Sequence, residues 1–169
     1  LMCVVNDILD FSKIEAGKID IEIVPFNIRS LIESVVDLVA VKAYEKNLEI
    51  ASMVDPDVPK MLKGDPLRIR QIVLNLLTNA IKFTPRGGSI CLQVKIKDNK
   101  VTITVSDNGK GIAPEYINNL FTNFFQVADH GIQNTGYGIG LALSKNIISL
   151  HQGNISVESE YAMNNENGK

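Results

Sequence analysis

The chain is poor in the residues that staple or cage a small protein. It has two cysteines in 169 residues, Cys3 and Cys91. That is too few for a four-ligand zinc site, and the spacing is not that of a disulfide framework, so a reducing, cytoplasmic compartment fits. Long hydrophobic runs are absent: the longest, such as residues 38–41, are a handful of residues, against the about 20 needed to span a membrane. No charge dominates either. The net charge is −2 at pH 7, with acidic and basic residues interspersed, which lacks the basic footprint of a nucleic-acid binder and suggests no direct membrane contact. There is no signal-peptide pattern, no low-complexity tract and no internal repeat. Histidine is scarce, with only His130 and His151.

What remains is average globular composition, 45% hydrophobic and 21% charged. A chain of this length buries about two-thirds of its unfolded surface and builds a core without staples. The sequence starts within a regular pattern at Leu1, which leads us to expect a piece of a longer chain. Leu1, Val4, Ile8 and Phe11 follow a coiled-coil-like spacing that Gly17 stops. A seam of that length needs a partner, so residues 1–17 are expected to be the end of a longer helical hairpin and residues 18–169 a separate domain.

Along that domain, Ile19, Ile21 and Ile23 alternate with Asp20 and Glu22, predicting a strand over residues 19–24. Asn27 caps a predicted helix over residues 28–46, and Asn47 ends it. A strand is predicted over residues 48–54, before the breaker run of residues 55–59. Asp65-Pro66 is a helix start, with Asp as cap and Pro at the first position, and that helix runs to Phe83. Strands over residues 89–97 and 100–107 flank Asp98-Asn99, a hairpin signal. A short helix near residues 114–120, a helix over residues 138–151 and a strand over residues 154–159 complete the pattern, with a frayed tail from residue 160. The fold class is an α/β (α+β) two-layer sandwich, a mixed sheet with helices on one face.

Three clusters carry chemistry. Asn75, Asn79 and Lys82 lie at i, i+4 and i+7 on one helix face, opposite a solidly apolar one. Amide oxygens are reasonable Mg²⁺ ligands, and a lysine offers a point charge to a phosphate; alone, the same face reads more readily as solvated surface. Asp107-Asn108-Gly109-Lys110-Gly111-Ile112 follows a strand, where an acid can sit at a pocket floor or merely form a turn. Gly136-Tyr137-Gly138-Ile139-Gly140-Leu141 opens into a helix, and free N–H groups at a helix N-terminus favour an anion. It is not the dinucleotide fingerprint, whose spacing differs.

In this order and spacing the clusters strongly resemble the ATP-binding catalytic domain of sensor histidine kinases, over nearly the whole chain. Residues 75–82 resemble the N box, Asp107-x-Gly109-x-Gly111 the first glycine box, and Gly136-x-Gly138-x-Gly140-Leu141 the second. Residues 120–126 resemble the F box, with Thr122-Asn123 where an acid and a proline are usual. Residues 5–17 are similar to the end of the dimerisation hairpin, especially in hybrid sensor kinases. The resemblance implies the Bergerat fold and ATP with Mg²⁺ as cofactors. It implies that Asn79 coordinates Mg²⁺, that Asn75 and Lys82 contact phosphates as the catalytic pair, and that Asp107 takes the adenine amine. Gly109 and Gly111 would shape the adenine pocket, Ile112 would lie on the base, and Gly136, Gly138, Gly140 and Leu141 would bind phosphates. Residues 118–137 would form the ATP lid, and the family's closing strand finds no counterpart before Lys169.

The related gyrase-type, mismatch-repair and chaperone ATPases carry a glutamate where Asn75 stands. An amide cannot take a proton from water at neutral pH, so transfer to a nucleophile is expected rather than hydrolysis. Neither His130 nor His151 has the acid-flanked helical context of a phosphoacceptor, which places the acceptor histidine upstream of Leu1. Expected partners are the chain's own hairpin, in a homodimer of the full-length protein, and a response-regulator receiver domain. The alternative is a nucleotide-binding pseudokinase or regulatory module of the same fold.

Overall fold

The structure is a computed structural model that describes residues 12–13, 20–126 and 138–161. The seam of residues 1–11, Gly17, Gly136, Tyr137 and the tail from residue 162 lie outside the described residues.

Strand β1, Val24–Asn27, leads directly into helix α1, Ile28–Glu45. The turn between them is built by Asn27, whose Oδ1 accepts from the backbone N–H groups of Arg29 and Ser30 at 3.0 and 3.3 Å. This satisfies two of the helix's orphan donors. At the other end Asn47 takes a left-handed φ of 52°. The N–H groups of Asn47 and Leu48 then close on Tyr44 and Ala43 at 2.9 Å each, the double bond of a Schellman closure.

Strand β2, Glu49–Val54, and strand β3, Met61–Gly64, follow, then helix α2, Pro66–Phe83. Asp65 caps α2 by accepting from Arg68 N at 3.0 Å, with Pro66 at the first helical position. Strands β4, Ser89–Lys97, and β5, Lys100–Asp107, form a hairpin. Its two-residue turn has φ of 50° at Asp98 and 58° at Asn99, both left-handed, as the favoured hairpin turn requires. The short helix α3, Pro114–Ile117, and helix α4, Gly140–Leu150, complete the elements.

The main sheet has the order β2-β4-β5, with β2 parallel and β5 antiparallel to the central β4. Its faces differ. Ile90, Leu92 and Val94 are buried, while on the opposite face Cys91 and Lys95 are exposed and Gln93 is half-buried. The helices therefore cover one face, and this mixed two-layer arrangement is the one the sequence predicts. The core joins that inner face to α1 through Val35 and Val39 and to α2 through Val73 and Leu77. A second, smaller core holds α4 on α2, with Leu143 and Ile147 against Ile72. Each fully buried side chain contributes about 1.5–3 kcal/mol.

Two strand predictions need correction. Residues 20–23 carry no strand; the ladder begins at Val24 and pairs with β3, Val24 opposite Gly64. Pro25 sits inside this strand, which is tolerated because a two-stranded ribbon always has an outward edge needing no N–H. Residues 154–159 form no ladder among the described residues, although Ile155, Val157 and Ser159 turn inward and their neighbours outward. The last helix starts at Gly140 rather than Gly138, and the short one ends at Ile117.

Candidate functional site

A cleft opens where the polar face of α2, the end of β5 and the start of α4 converge. Each side is positioned by the packing just described. Burying Ile72, Val73, Leu77, Ala80 and Ile81 on one side of α2 leaves Asn75, Asn79 and Lys82 half-buried on the cleft side. On β5 the register places Asp107 opposite the buried Ile90 and in line with Val105 and Ile103. Asp107 therefore ends the helix-facing row of the strand.

Asn75 connects two of the three motifs. Its Nδ2 donates to the carbonyl of Gly140 at 3.3 Å and to Ser144 Oγ at 3.5 Å. Ser144, fully buried, donates its own hydroxyl to the same carbonyl at 2.8 Å. Sequence reasoning missed Ser144; its signal is a small hydroxyl one turn after the glycine that opens the helix. The side chain of Asn79 makes no hydrogen bond among the described residues. Lys82 extends its ammonium to 5.0 Å from the centre of the Phe83 ring, and Lys110 brings a second ammonium to 6.0 Å from the same ring. Lys110 lies within the first glycine motif, at a position whose residue type the motif leaves open.

Asp107 is exposed to the cleft, and its Oδ1 accepts from Gly109 N at 2.9 Å. A Cβ on Gly109 would come within 2.9 Å of the Phe83 carbonyl, so the loop packs on the end of α2. Gly111 has a left-handed φ of 74°, and a Cβ there would overlap the Glu160 carbonyl. What approaches these two glycines in the structure is the chain's own backbone. Ile112 is half-buried and its N–H donates to Ser159 Oγ at 2.8 Å, fastening the loop to residues 155–161.

Helix α4 begins without a side-chain cap, and its first turn carries no acid. Its opening N–H groups, around Gly140 and Leu141, have no side-chain partner among the described residues and lie at the positive end of an 11-residue helix. Gly138 has a φ of 69°, and a Cβ there would strike the Phe125 carbonyl at 2.7 Å. The Gly138 carbonyl in turn accepts from Phe124 N at 3.0 Å. The structure thus brings together Asn75, Asn79, Lys82, Asp107, Gly109, Gly111, Ile112, Gly138, Gly140 and Leu141 around one cleft. Gly136 lies outside the described residues.

No group of three or more His, Cys, Asp and Glu fit to hold a metal occurs among the described residues. A cation held mainly by phosphates and water, with one amide from the protein, needs no such group, and the free amide of Asn79 suits that mode. Among the described residues no helix is long and apolar enough to cross a membrane.

A helix terminus with no side-chain cap among the described residues, beside an amide and lysine face over a mixed sheet, is an arrangement that suits a phosphorylated ligand. Residues 64–168 match the family described as histidine kinase-, DNA gyrase B- and HSP90-like ATPases, and the chain belongs to that family. Among relatives, it is 43% identical over 166 residues to the sensor protein GacS of Pseudomonas syringae pv. syringae, covering 94% of this chain and 18% of that protein. It is 38% identical over 169 residues to the hybrid signal transduction histidine kinase B of Dictyostelium discoideum, covering 96% of this chain and 8% of that one. Full-length ShkA, solved in complex with AMPPNP, superposes with a TM-score of 0.77 at 31% identity, over 93% of this chain and 33% of that one. The fold is the Bergerat fold of histidine kinase catalytic domains. The chain spans less than a fifth of the length of GacS and of the Dictyostelium histidine kinase.

Proposed function

We propose that this chain is the catalytic unit of a sensor histidine kinase. It binds ATP with Mg²⁺ and transfers the γ-phosphoryl group to a histidine on a helical hairpin, from which it passes to a response-regulator aspartate. The observation that carries this is the joining of Asn75 to Gly140. It makes the amide and lysine face of α2 and the uncapped terminus of α4 two walls of one phosphate site.

Phosphoryl transfer asks little covalent chemistry of a protein; positioning and charge stabilisation supply most of the rate. Lys82 meets the phosphates as a point charge, and the N–H groups around Gly136, Gly138, Gly140 and Leu141 meet their oxygens. Asn79 holds the Mg²⁺, which neutralises charge on the phosphates when bound. Asp107 receives the adenine amine on the carboxylate oxygen that Gly109 does not occupy. Gly109 and Gly111 set the depth of the adenine pocket, and Ile112 covers the base. Asn75 spends its donor on Gly140 and Ser144, and its remaining oxygen belongs to an amide. It cannot activate water, so the nucleophile must come from elsewhere. In this reading residues 1–17 end the dimerisation hairpin, the full-length protein is a homodimer, and the domain works in the cytoplasm.

ATP titrations with and without Mg²⁺, on the wild type and Asn79→Ala, test the site. The expected result is loss of the Mg²⁺-dependent part of the affinity in the variant, with the fold intact, because Asn79 is off the core face. An identical Mg²⁺ response in both proteins would leave Asn79 a solvated helix residue.

A further inference from the structure

The last turn of any helix leaves four carbonyls without helical partners. In α2 these belong to Ala80, Ile81, Lys82 and Phe83. The Ala80 carbonyl accepts from Thr84 N at 2.9 Å and from the buried Thr84 hydroxyl at 2.6 Å. The Phe83 carbonyl lies against Gly109. The two between them go to one donor from another element: Lys46 Nζ reaches Ile81 O at 2.7 Å and Lys82 O at 2.9 Å. Burial at this position pushes the Lys46 ammonium below the ordinary lysine pKa.

Nothing in α1 requires this. Lys46 is the C-cap of α1, but that helix is closed by backbone bonds through Asn47 and Leu48. The two helices are already joined by apolar side chains, with Val35 and Val39 in the same core as Ala80 and Ile81. The Lys46 side chain instead serves the end of α2 that carries Lys82. A helix C-terminus bears roughly half a negative charge, and a polyphosphate drawn toward Lys82 enters that field. An ammonium seated on two of the terminal carbonyls offsets it at its source and fixes the direction of the turn.

We infer that Lys46 is a positioning residue for the phosphate end of the cleft: by holding and neutralising the last turn of α2, it lets Lys82 and Asn79 receive the polyphosphate of a nucleoside triphosphate. This rests on the reading of the cleft as an ATP site. It acts through α2 and touches no substrate. Its signature is selectivity: the phosphates should feel its loss and the nucleoside should not.

The test compares wild type, K46M and K46R by titration with Mg²⁺-ATP and, separately, with adenosine, with thermal unfolding followed alongside. K46M should bind ATP about two- to fivefold more weakly, the range a charge at a helix end commands, with adenosine affinity unchanged. K46R should recover most of the ATP affinity. If K46M does not fold, K46Q, which keeps a donor without the charge, takes its place. Unchanged ATP affinity in the folded neutral variant, equal losses for ATP and adenosine, or a K46R as weak as K46M would each overturn the inference. If wild type binds ATP no more tightly than adenosine, the ATP reading itself fails, visibly before any variant is compared.

Discussion

Asn75 and Gly140 stand 65 residues apart in the chain, and the side-chain amide of the first donates to the carbonyl of the second at 3.3 Å. With the Ser144 hydroxyl on the same oxygen at 2.8 Å, the opening turn of α4 is fastened to the middle of α2. The two halves of the proposed phosphate site therefore hold their spacing before a ligand arrives, which lowers the ordering cost of binding.

Replacing Asn75 with Asp keeps the size and removes the donor of this hydrogen bond. A carboxylate then faces a carbonyl oxygen in a half-buried place, where an unmet polar group costs about 1–3 kcal/mol. Asn75→Asp should lower stability by that order and weaken ATP binding more than adenosine binding. Chemical denaturation and paired titrations check both; a variant as stable and as ATP-competent as wild type would show that the link is incidental.

In the proposed reading Asp107 sets base selectivity. Its carboxylate accepts from an exocyclic amine and repels a carbonyl, so ATP should be preferred to GTP. Asp107→Asn should cost about 1.5–3 kcal/mol of ATP binding, the worth of a hydrogen bond to a charged group. Equal ATP affinity in wild type and Asp107→Asn by calorimetry would remove Asp107 from the site.

His151 belongs to the opposite end of α4 and to a different task. Its Nδ1 donates to Ile147 O at 2.9 Å and its Nε2 accepts from Asp65 N at 3.1 Å. Asp65 in turn accepts from Glu22 N at 3.2 Å. The ring so ties α4 to the start of α2 and to the segment before β1. His151→Leu leaves the buried Asp65 N–H without an acceptor and should destabilise by about 1–3 kcal/mol, with ATP affinity unchanged in the folded protein. A thermal unfolding curve identical to wild type would refute that role.

The elements with strong local signals were legible. Asn27 and Asp65 announce α1 and α2, and Asp98-Asn99 announces the hairpin, because caps and turns are decided within a few residues. Strand β3 was missed. Its four residues follow a breaker run and bury only part of Leu62 besides Gly64, too little for a period to show. The alternation of Ile19, Ile21 and Ile23 misled because Ile23 is 57% exposed; alternation marks a face but supplies no neighbour to pair with. The site motifs were visible as spacings, but their meeting is tertiary. No local pattern joins Asn75 to Gly140, or Lys46 to the carbonyls of α2, and the order of the motifs carried that part of the reading only through the family resemblance.

The central claim is transfer of the γ-phosphoryl group to a histidine outside the cleft. The direct measurement is incubation of this chain with γ-labelled ATP and Mg²⁺, alone and with a separately prepared histidine-bearing helical hairpin of a sensor kinase dimerisation domain. The account predicts very slow ATP hydrolysis and no label on the chain alone. It predicts acid-labile, base-stable label on the hairpin histidine when both are present, lost with Asn79→Ala. Robust label on His130 or His151, or an unlabelled hairpin that a complete sensor kinase phosphorylates under the same conditions, would contradict it.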